Sequence, residues 1–160
     1  MKNSGFTIVE LMVVLAILAI LLSVAPPTFN TFIKGSQMTT NSNDLIGALN
    51  FARMEAIKRG SSVQLGQRDG STWLGGFVVW VDTDGDGTLD AGEELQLWEP
   101  YSEGTSVYST NSITRFTFAA TGEVDNVDNL TLCDNRSGET GRYITILSSG
   151  AIYADEVTCV

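Results

Sequence analysis

The stretch GFTIVELMVVLAILAILLSVAPP, residues 5 to 27, constrains this chain more than any other part of it. From Phe6 to Ala25 the side chains are almost all apolar, about twenty residues in a row, enough for a helix of roughly 30 Å that crosses one hydrocarbon thickness. Lys2 and the amino terminus precede the run. By the positive-inside tendency they stay cytoplasmic and the remainder of the chain is exported. One residue resists this reading. Glu10 sits five residues into the run, where a carboxylate costs roughly 2.5–3.5 kcal/mol on insertion scales.

Two ordinary segments fit less well. A cleaved secretory signal has a small-x-small site available at Ser23–Ala25, but Pro26 would follow the cut directly and Glu10 interrupts its apolar region. A plain single-span anchor accounts for the length and leaves Glu10 unexplained. Pro26 and Pro27 each remove a helix hydrogen bond and clash with the preceding turn, so the pair should kink or locally unwind the helix just outside the apolar core. The alternative is a simple linker pair.

The stretch KNSGFTIVELMVVLAILAILLSVAPP resembles the N-terminus of type IV pilins and pseudopilins: Gly5, Phe6, Thr7, Glu10, a following apolar helix and a proline near its end. The resemblance implies that a prepilin peptidase cuts between Gly5 and Phe6 and that the new Phe6 amine is N-methylated. It also assigns Glu10 to assembly, where its carboxylate meets the N-terminal amine of a neighbouring subunit. Opposite charges attract strongly in a low dielectric, while one alone is penalised. On this reading Glu10 is a register device whose partner belongs to another chain.

Beyond the prolines the period changes. NDLIGALNFARMEAIKRG puts Leu45, Leu49, Ala52 and Ala56 on one helix face, with Ile46 and Met54 beside it. Glu55 and Arg59 form an i,i+4 pair, and Gly60 is a helix stop. From Ser61 the period becomes two. Expected strands are 62–67, 76–81, 94–99, 105–109, 115–119, 129–133, 142–147 and 151–154, separated by turn signals such as RDGS, DTDGDG, TGEVDN and SSG. A long helix followed by antiparallel strands is an α+β plan. The helix end ALNFARMEAIKRG, the strand WLGGFVVWVD and the later LTLCD and GRYITI strands are similar to the GspH/FimT branch of pseudopilins and minor pilins.

Composition limits the chemistry. The formal net charge is −10 and there is no histidine. That removes the commonest general base and the commonest metal ligand. No Ser-His or Cys-His arrangement and no phosphate-binding loop occurs, so the chain is not expected to be an enzyme. From Asp69 onward the only basic side chains are Arg115, Arg136 and Arg142. FimT-type members that bind DNA have a basic tail, whereas this tail carries Asp155 and Glu156. Nucleic acid is therefore disfavoured as a partner.

Two local features remain. DTDGDGTLDAGE, Asp82 to Glu93, fits the D-x-D-x-D-G-x5-E calcium loop. Asp82, Asp84, Asp86, Asp90 and Glu93 supply carboxylates and Thr88 a backbone carbonyl, an all-oxygen set suited to Ca2+. The flanks read as strands rather than the helices of an EF-hand, and the alternative is an acidic hairpin loop that only keeps the surface soluble. Cys133 and Cys159 are the only cysteines. In an exported domain a lone pair forms one disulfide, and the alternative is two separate buried thiols.

The sequence thus leads to an α+β pilin-like chain. Its long N-terminal helix, transmembrane in its first half and amphipathic in its second, packs on an antiparallel β-sheet domain. The expected divisions are a leader 1–5, a transmembrane and filament-core helix 6–27, an amphipathic helix 28–60 and a β-rich domain 61–160. The expected role is a minor pilin or pseudopilin that primes or caps a type IV pilus or a type II secretion pseudopilus. It would sit in the bacterial inner membrane as a single-pass protein with a periplasmic C-terminal domain. The expected partners are the major pilin, other minor pilins or pseudopilins and the prepilin peptidase. The rival is a calcium-dependent binding or adhesion module on a plain anchor.

Overall fold

A computed structural model describes residues 5–159, and for residues 23–28 the backbone only. The chain divides into two compact units, Met1–Gln37 and Met38–Val160. One helix, α1 (Ile8–Arg59), contributes to both.

From Ile8 to Leu22, Glu10 apart, α1 carries apolar side chains on every side. Leu11, Val14, Leu15, Leu18, Leu21 and Leu22 are all about half exposed or more. A helix that is hydrophobic all round is made for a membrane or for burial among other helices. Among the described residues no helix is long and apolar enough to cross a membrane. Lys2 and the rest of residues 1–4 lie outside the described residues. At Pro26 and Pro27 the backbone is helical.

The second unit is built on the last part of α1. Leu45, Ala48, Leu49, Ala52 and Ala56 are fully buried, at the three- and four-residue spacing of one helix face. Ala48 joins the expected stripe. Met54 leaves it, being 67% exposed, because it lies round the helix from Leu45 and Leu49. Glu55 is held by Lys58 at 2.9 Å and Arg59 at 2.7 Å. Gly60 ends the helix at φ 67°, donating to Ala56 O at 3.0 Å, a left-handed conformation that glycine adopts without penalty.

Among the described residues eight strands follow, in two sheets rather than one. The first has the order β3 (Glu94–Trp98), β2 (Phe77–Trp80), β1 (Val63–Gln67), β5 (Arg115–Phe118). The second has the order β4 (Thr105–Ser109), β6 (Asp128–Asp134), β7 (Thr140–Ile146), β8 (Ile152–Thr158). All the pairings are antiparallel. Val63, Leu65, Phe77, Val79, Phe116 and Phe118 of one sheet and Leu130, Leu132, Ile144 and Ile146 of the other join the helix stripe in a single core. The strand positions agree with the expected ones to within a few residues. The largest departure is β8, which continues to Thr158 instead of ending at 154. Its residues ADEVT carry no apolar alternation, and pairing with β7 through Thr140↔Thr158 holds them extended.

Arg53 fastens the helix to the turns. Its Nε donates to Gly122 O at 3.1 Å and its Nη2 to Ser149 O at 3.2 Å. A guanidinium has several donors in a fixed fork, so it can satisfy carbonyls from two turns at once.

Candidate functional site

The N-terminal segment comes first. Residues 5–7 are non-helical and exposed, with Phe6 82% accessible, and α1 starts at Ile8. The Gly5–Phe6 peptide bond therefore lies in open, exposed chain before the first helical turn.

Thr7 and Glu10 close this helix end together. Glu10 N donates to Thr7 Oγ1 at 3.2 Å, while Thr7 N and Thr7 Oγ1 each donate to Glu10 Oε2 at 2.9 Å. This is a reciprocal capping box, with the hydroxyl residue at the N-cap and the acid three residues on. Thr7 O accepts from Leu11 N at 3.2 Å, the first helical bond. Glu10 thus has a partner in its own chain, a neutral one rather than an opposite charge. The Thr-x-x-Glu spacing at 7–10 was the available signal. The cap also bears on the cost of the acid, since it supplies two donors to a carboxylate at the positive end of a helix.

The acidic loop is the second candidate. It joins β2 to β3 and is organised by its own carboxylates. Asp82 Oδ1 accepts from Gly85 N at 2.7 Å, and Asp82 Oδ2 accepts from Gly87 N at 2.9 Å and from Gln64 Nε2 at 3.2 Å. Asp84 accepts from Asp86 N at 3.2 Å, and Asp86 accepts from Thr88 N and Thr88 Oγ1, both at 2.7 Å. Gly85 and Gly87 sit at φ 79° and 80°, which a side chain would disfavour. Arg115, from the far edge of the sheet, donates to Gly87 O.

Among the described residues, Asp82, Asp84 and Asp86 bring one carboxylate oxygen each to within 4.8 Å of one another. Asp90 and Glu93 stand outside that triplet. Glu93 is only 6% exposed and spends both oxygens on the loop backbone. Its Oε1 accepts from Thr83 N and Thr83 Oγ1, both at 2.6 Å, and its Oε2 from Asp90 N at 3.1 Å. Those donors hold the Glu93 carboxyl below its ordinary pKa, the Thr83 hydroxyl first. Desolvation pushes Asp82 up but is outweighed by the Gly85 and Gly87 amides and Gln64, so its pKa is lowered. Asp90 is raised, first by the charge of Asp86 and then by desolvation and the charges of Asp84, Glu93 and Asp82. The loop is a concentrated negative field, and the repulsion within it falls most on Asp90.

The cysteines form the third feature. Cys133 on β6 and Cys159 just after β8 are joined, with Cα atoms 5.8 Å apart. The bridge reaches across β7 at Gly141. A Cβ there would sit 2.4 Å from Leu132 O and 2.5 Å from Cys159 Sγ, so only glycine lets the bridge pass.

Two sequence profiles match the chain. The profile described as Type II transport protein GspH covers residues 41–150, and the prokaryotic N-terminal methylation motif covers residues 1–26. No curated protein sequence matches. Two crystal structures of the type IV minor pilin FimU of Pseudomonas aeruginosa share the fold. The first has a TM-score of 0.66 at 18% identity over 78% of this chain and 92% of that one. The second, in another crystal form, has 0.63 at 18% identity over 73% and 91%. This family and fold are those of structural pilin subunits rather than enzymes. With the helix, the two sheets and the methylation motif all in place, the chain belongs to the GspH/FimT class of pilins, structural subunits of a pilus or a type II secretion pseudopilus.

Proposed function

We propose that this chain is a minor subunit that primes or caps a type IV pilus or a type II secretion pseudopilus. The division into a leader 1–5, a membrane and filament helix 6–27, an amphipathic helix 28–60 and a β-domain 61–160 goes with this reading. So do a bend at Pro26–Pro27, insertion in the inner membrane with the β-domain periplasmic, and contacts with the major pilin and other minor pilins through the N-terminal helix. The observation that carries it is the first part of α1, apolar on every described side, with one capped acid four residues from Phe6. A surface of that kind is covered by lipid before assembly and by neighbouring helices after it. Prepilin peptidase cuts at Gly5 before assembly, and the freed, methylated Phe6 amine then supplies a positive charge for a neighbour's Glu10.

Intact-mass measurement of membrane-extracted protein tests the first step. The expected mature chain begins at a methylated Phe6. A chain beginning at Met1 or Pro26 overturns the reading: the first leaves the plain anchor, the second a cleaved secretory signal. Glu10→Ala is expected to leave insertion intact or improved and to deplete the protein from sheared filaments. Equal recovery of the variant in filaments would show that the charge pair is not used by this subunit.

A second reading concerns the acidic loop and is favoured by the convergence of Asp82, Asp84 and Asp86. We propose that this loop takes one Ca2+, with Thr88 giving its carbonyl and with Asp90 and Glu93 turning toward the ion. Oxygen donors suit a hard cation and disfavour zinc or copper. Bound charge would relieve the repulsion that raises Asp90. Trp80, two residues before Asp82, can sensitise terbium. Emission from added terbium and a calcium-dependent rise in the melting temperature are the expected results. Absence of both, or an equal response in an Asp82→Ala, Asp84→Ala double variant, rejects the site.

A further inference from the structure

The four outer edges of the two sheets are not alike. The edge of β5 is closed by its own return: Asp125 N donates to Thr117 O at 3.0 Å, and Thr117 N donates to Asp125 Oδ1 at 2.8 Å. β4 runs beside the short 3-10 helix Trp73–Gly75. β3 is five residues long and its pairing with β2 slips between Val79 and Trp80, with Glu94 at that end. Irregular pairing and short length are ways of blunting an edge.

β8 has none of these protections. It runs seven residues, pairs with β7 in continuous register from Ile152↔Ile146 to Thr158↔Thr140, and contains no proline or lysine. Ala154, Asp155 and Glu156 at its centre are exposed.

The hydrogen-bond phase shows which groups are open. Cys159 N donates to Glu139 O, and Ala151 O accepts from Leu147 N, so the odd-numbered residues bond inward to β7. Antiparallel pairs alternate. The N–H and C=O groups of Ile152, Ala154, Glu156 and Thr158 therefore point away from β7, and among the described residues no strand lies beyond them.

The charges narrow the choice of occupant. β8 carries Asp155 and Glu156 and no basic residue. Glu156 is already matched by Arg142 at 2.9 Å. Asp155 shares the opposite face of the strand with Tyr153 and Val157, by the alternation of side chains. A second copy pairing antiparallel over the whole strand would set Asp155 against Asp155, and like charges directly opposite are destabilising.

We propose that the β8 edge receives an extended segment of a different protein by strand addition, with a lysine or arginine opposite Asp155 and apolar residues opposite Tyr153 and Val157. Main-chain bonds to Ile152, Ala154, Glu156 and Thr158 would carry the affinity, and the side chains the selection. The reading is independent of processing at Gly5 and of the acidic loop.

The test uses the full chain in detergent and the symmetric peptide Thr-Val-Thr-Lys-Thr-Val-Thr, which presents the same pattern in either direction. At about ten times its dissociation constant the peptide should slow hydrogen exchange about tenfold at the four outward amides. Replacing the peptide's lysine by glutamate should weaken binding about fivefold. Methylating alternate peptide amides should abolish protection. Ala154→Pro removes an outward N–H that β7 does not use, so it should block the peptide while leaving the β7 ladder protected. The proposal is overturned by no slowing at the four amides, by equal protection by the N-methylated peptide, or by equal affinity of the glutamate peptide. Protection that grows with protein concentration without any peptide also overturns it, since the edge would then pair with itself.

Discussion

Replacing Cys133 and Cys159 together by serine is expected to destabilise the β-domain by about 3.5 kcal/mol, the chain-entropy value for a closed loop of this size. The separation that sets this value is 26 residues. The thermal midpoint should fall by roughly 10 °C. The loss falls mainly on the C-terminal tail. Cys159 is 4% exposed, and its backbone is tied to the β7 side by two bonds of 2.9 Å, to Glu139 O and from Gly138 N. Without the bridge the tail becomes a terminal segment held by one strand pairing, the kind of element that frays first. Thermal melting of the full chain in detergent, with and without reductant, checks the prediction. Reductant should reproduce the double variant in the native protein and do nothing further to the variant. A midpoint that moves by less than about 2 °C would mean that the β7–β8 ladder holds the tail without help.

Much of the fold could be read from the residues because two periods do most of the specifying. Leu45, Leu49, Ala52 and Ala56 recur on one helix face, and all are fully buried. The alternation in Asp128–Asp134 likewise marks a strand with one face in the core, whereas in Val63–Gln67 the residues alternate but Gln64 and Gly66 are buried as well. The division into two sheets was not legible. Which strands neighbour one another depends on long-range pairing, such as β1 with β5 across the intervening β2–β4, and no local period encodes it. The length of β8 was hidden for a related reason. An edge strand exposed on both faces needs no apolar alternation, so the residues that continue it look like a turn.

The candidate sites divide the same way. The Gly5–Phe6 junction and the acidic loop are contiguous, and contiguous motifs are visible in a sequence. The use of Glu93 was not. It stood in the loop pattern as a cation ligand, yet its two oxygens hold Thr83 and Asp90. That follows from burial at the loop base, a property of the folded hairpin. For the same reason, a cation entering at Asp82, Asp84 and Asp86 would have to draw Glu93 from those donors, which makes its backbone bonds a competitor of metal binding. Glu10 gives the converse lesson. Its local partner was legible in Thr-x-x-Glu, since a capping box is contiguous, whereas a charge partner on another chain leaves no mark in this sequence.

Phe77→Ala is the second substitution with a large expected cost, about 3–5 kcal/mol for emptying a fully buried aromatic site. Phe77 has no exposed surface. Its ring stacks on Trp98 at 5.4 Å and meets the edge of Tyr101 at 5.9 Å. Trp98 continues the series to Phe51 of α1 at 6.0 Å, and the Tyr101 hydroxyl donates to Asn41 O of the same helix at 3.0 Å. Phe77 therefore stands in the middle of a chain of rings that touches the helix at two places, and truncation loosens both contacts at once. Aromatic pairs add about 0.5–1.5 kcal/mol beyond the area they bury, which places the cost toward the upper end of that range. Phe77→Leu keeps most of the volume but loses the ring contacts, and is expected to cost about half as much. Denaturant melting followed by tryptophan emission measures both variants, because Trp98 lies against the altered site. If Phe77→Ala and Phe77→Leu destabilise equally, the ring contacts rather than the cavity set the cost. If neither shifts the midpoint, the helix is held by its leucine and alanine stripe alone.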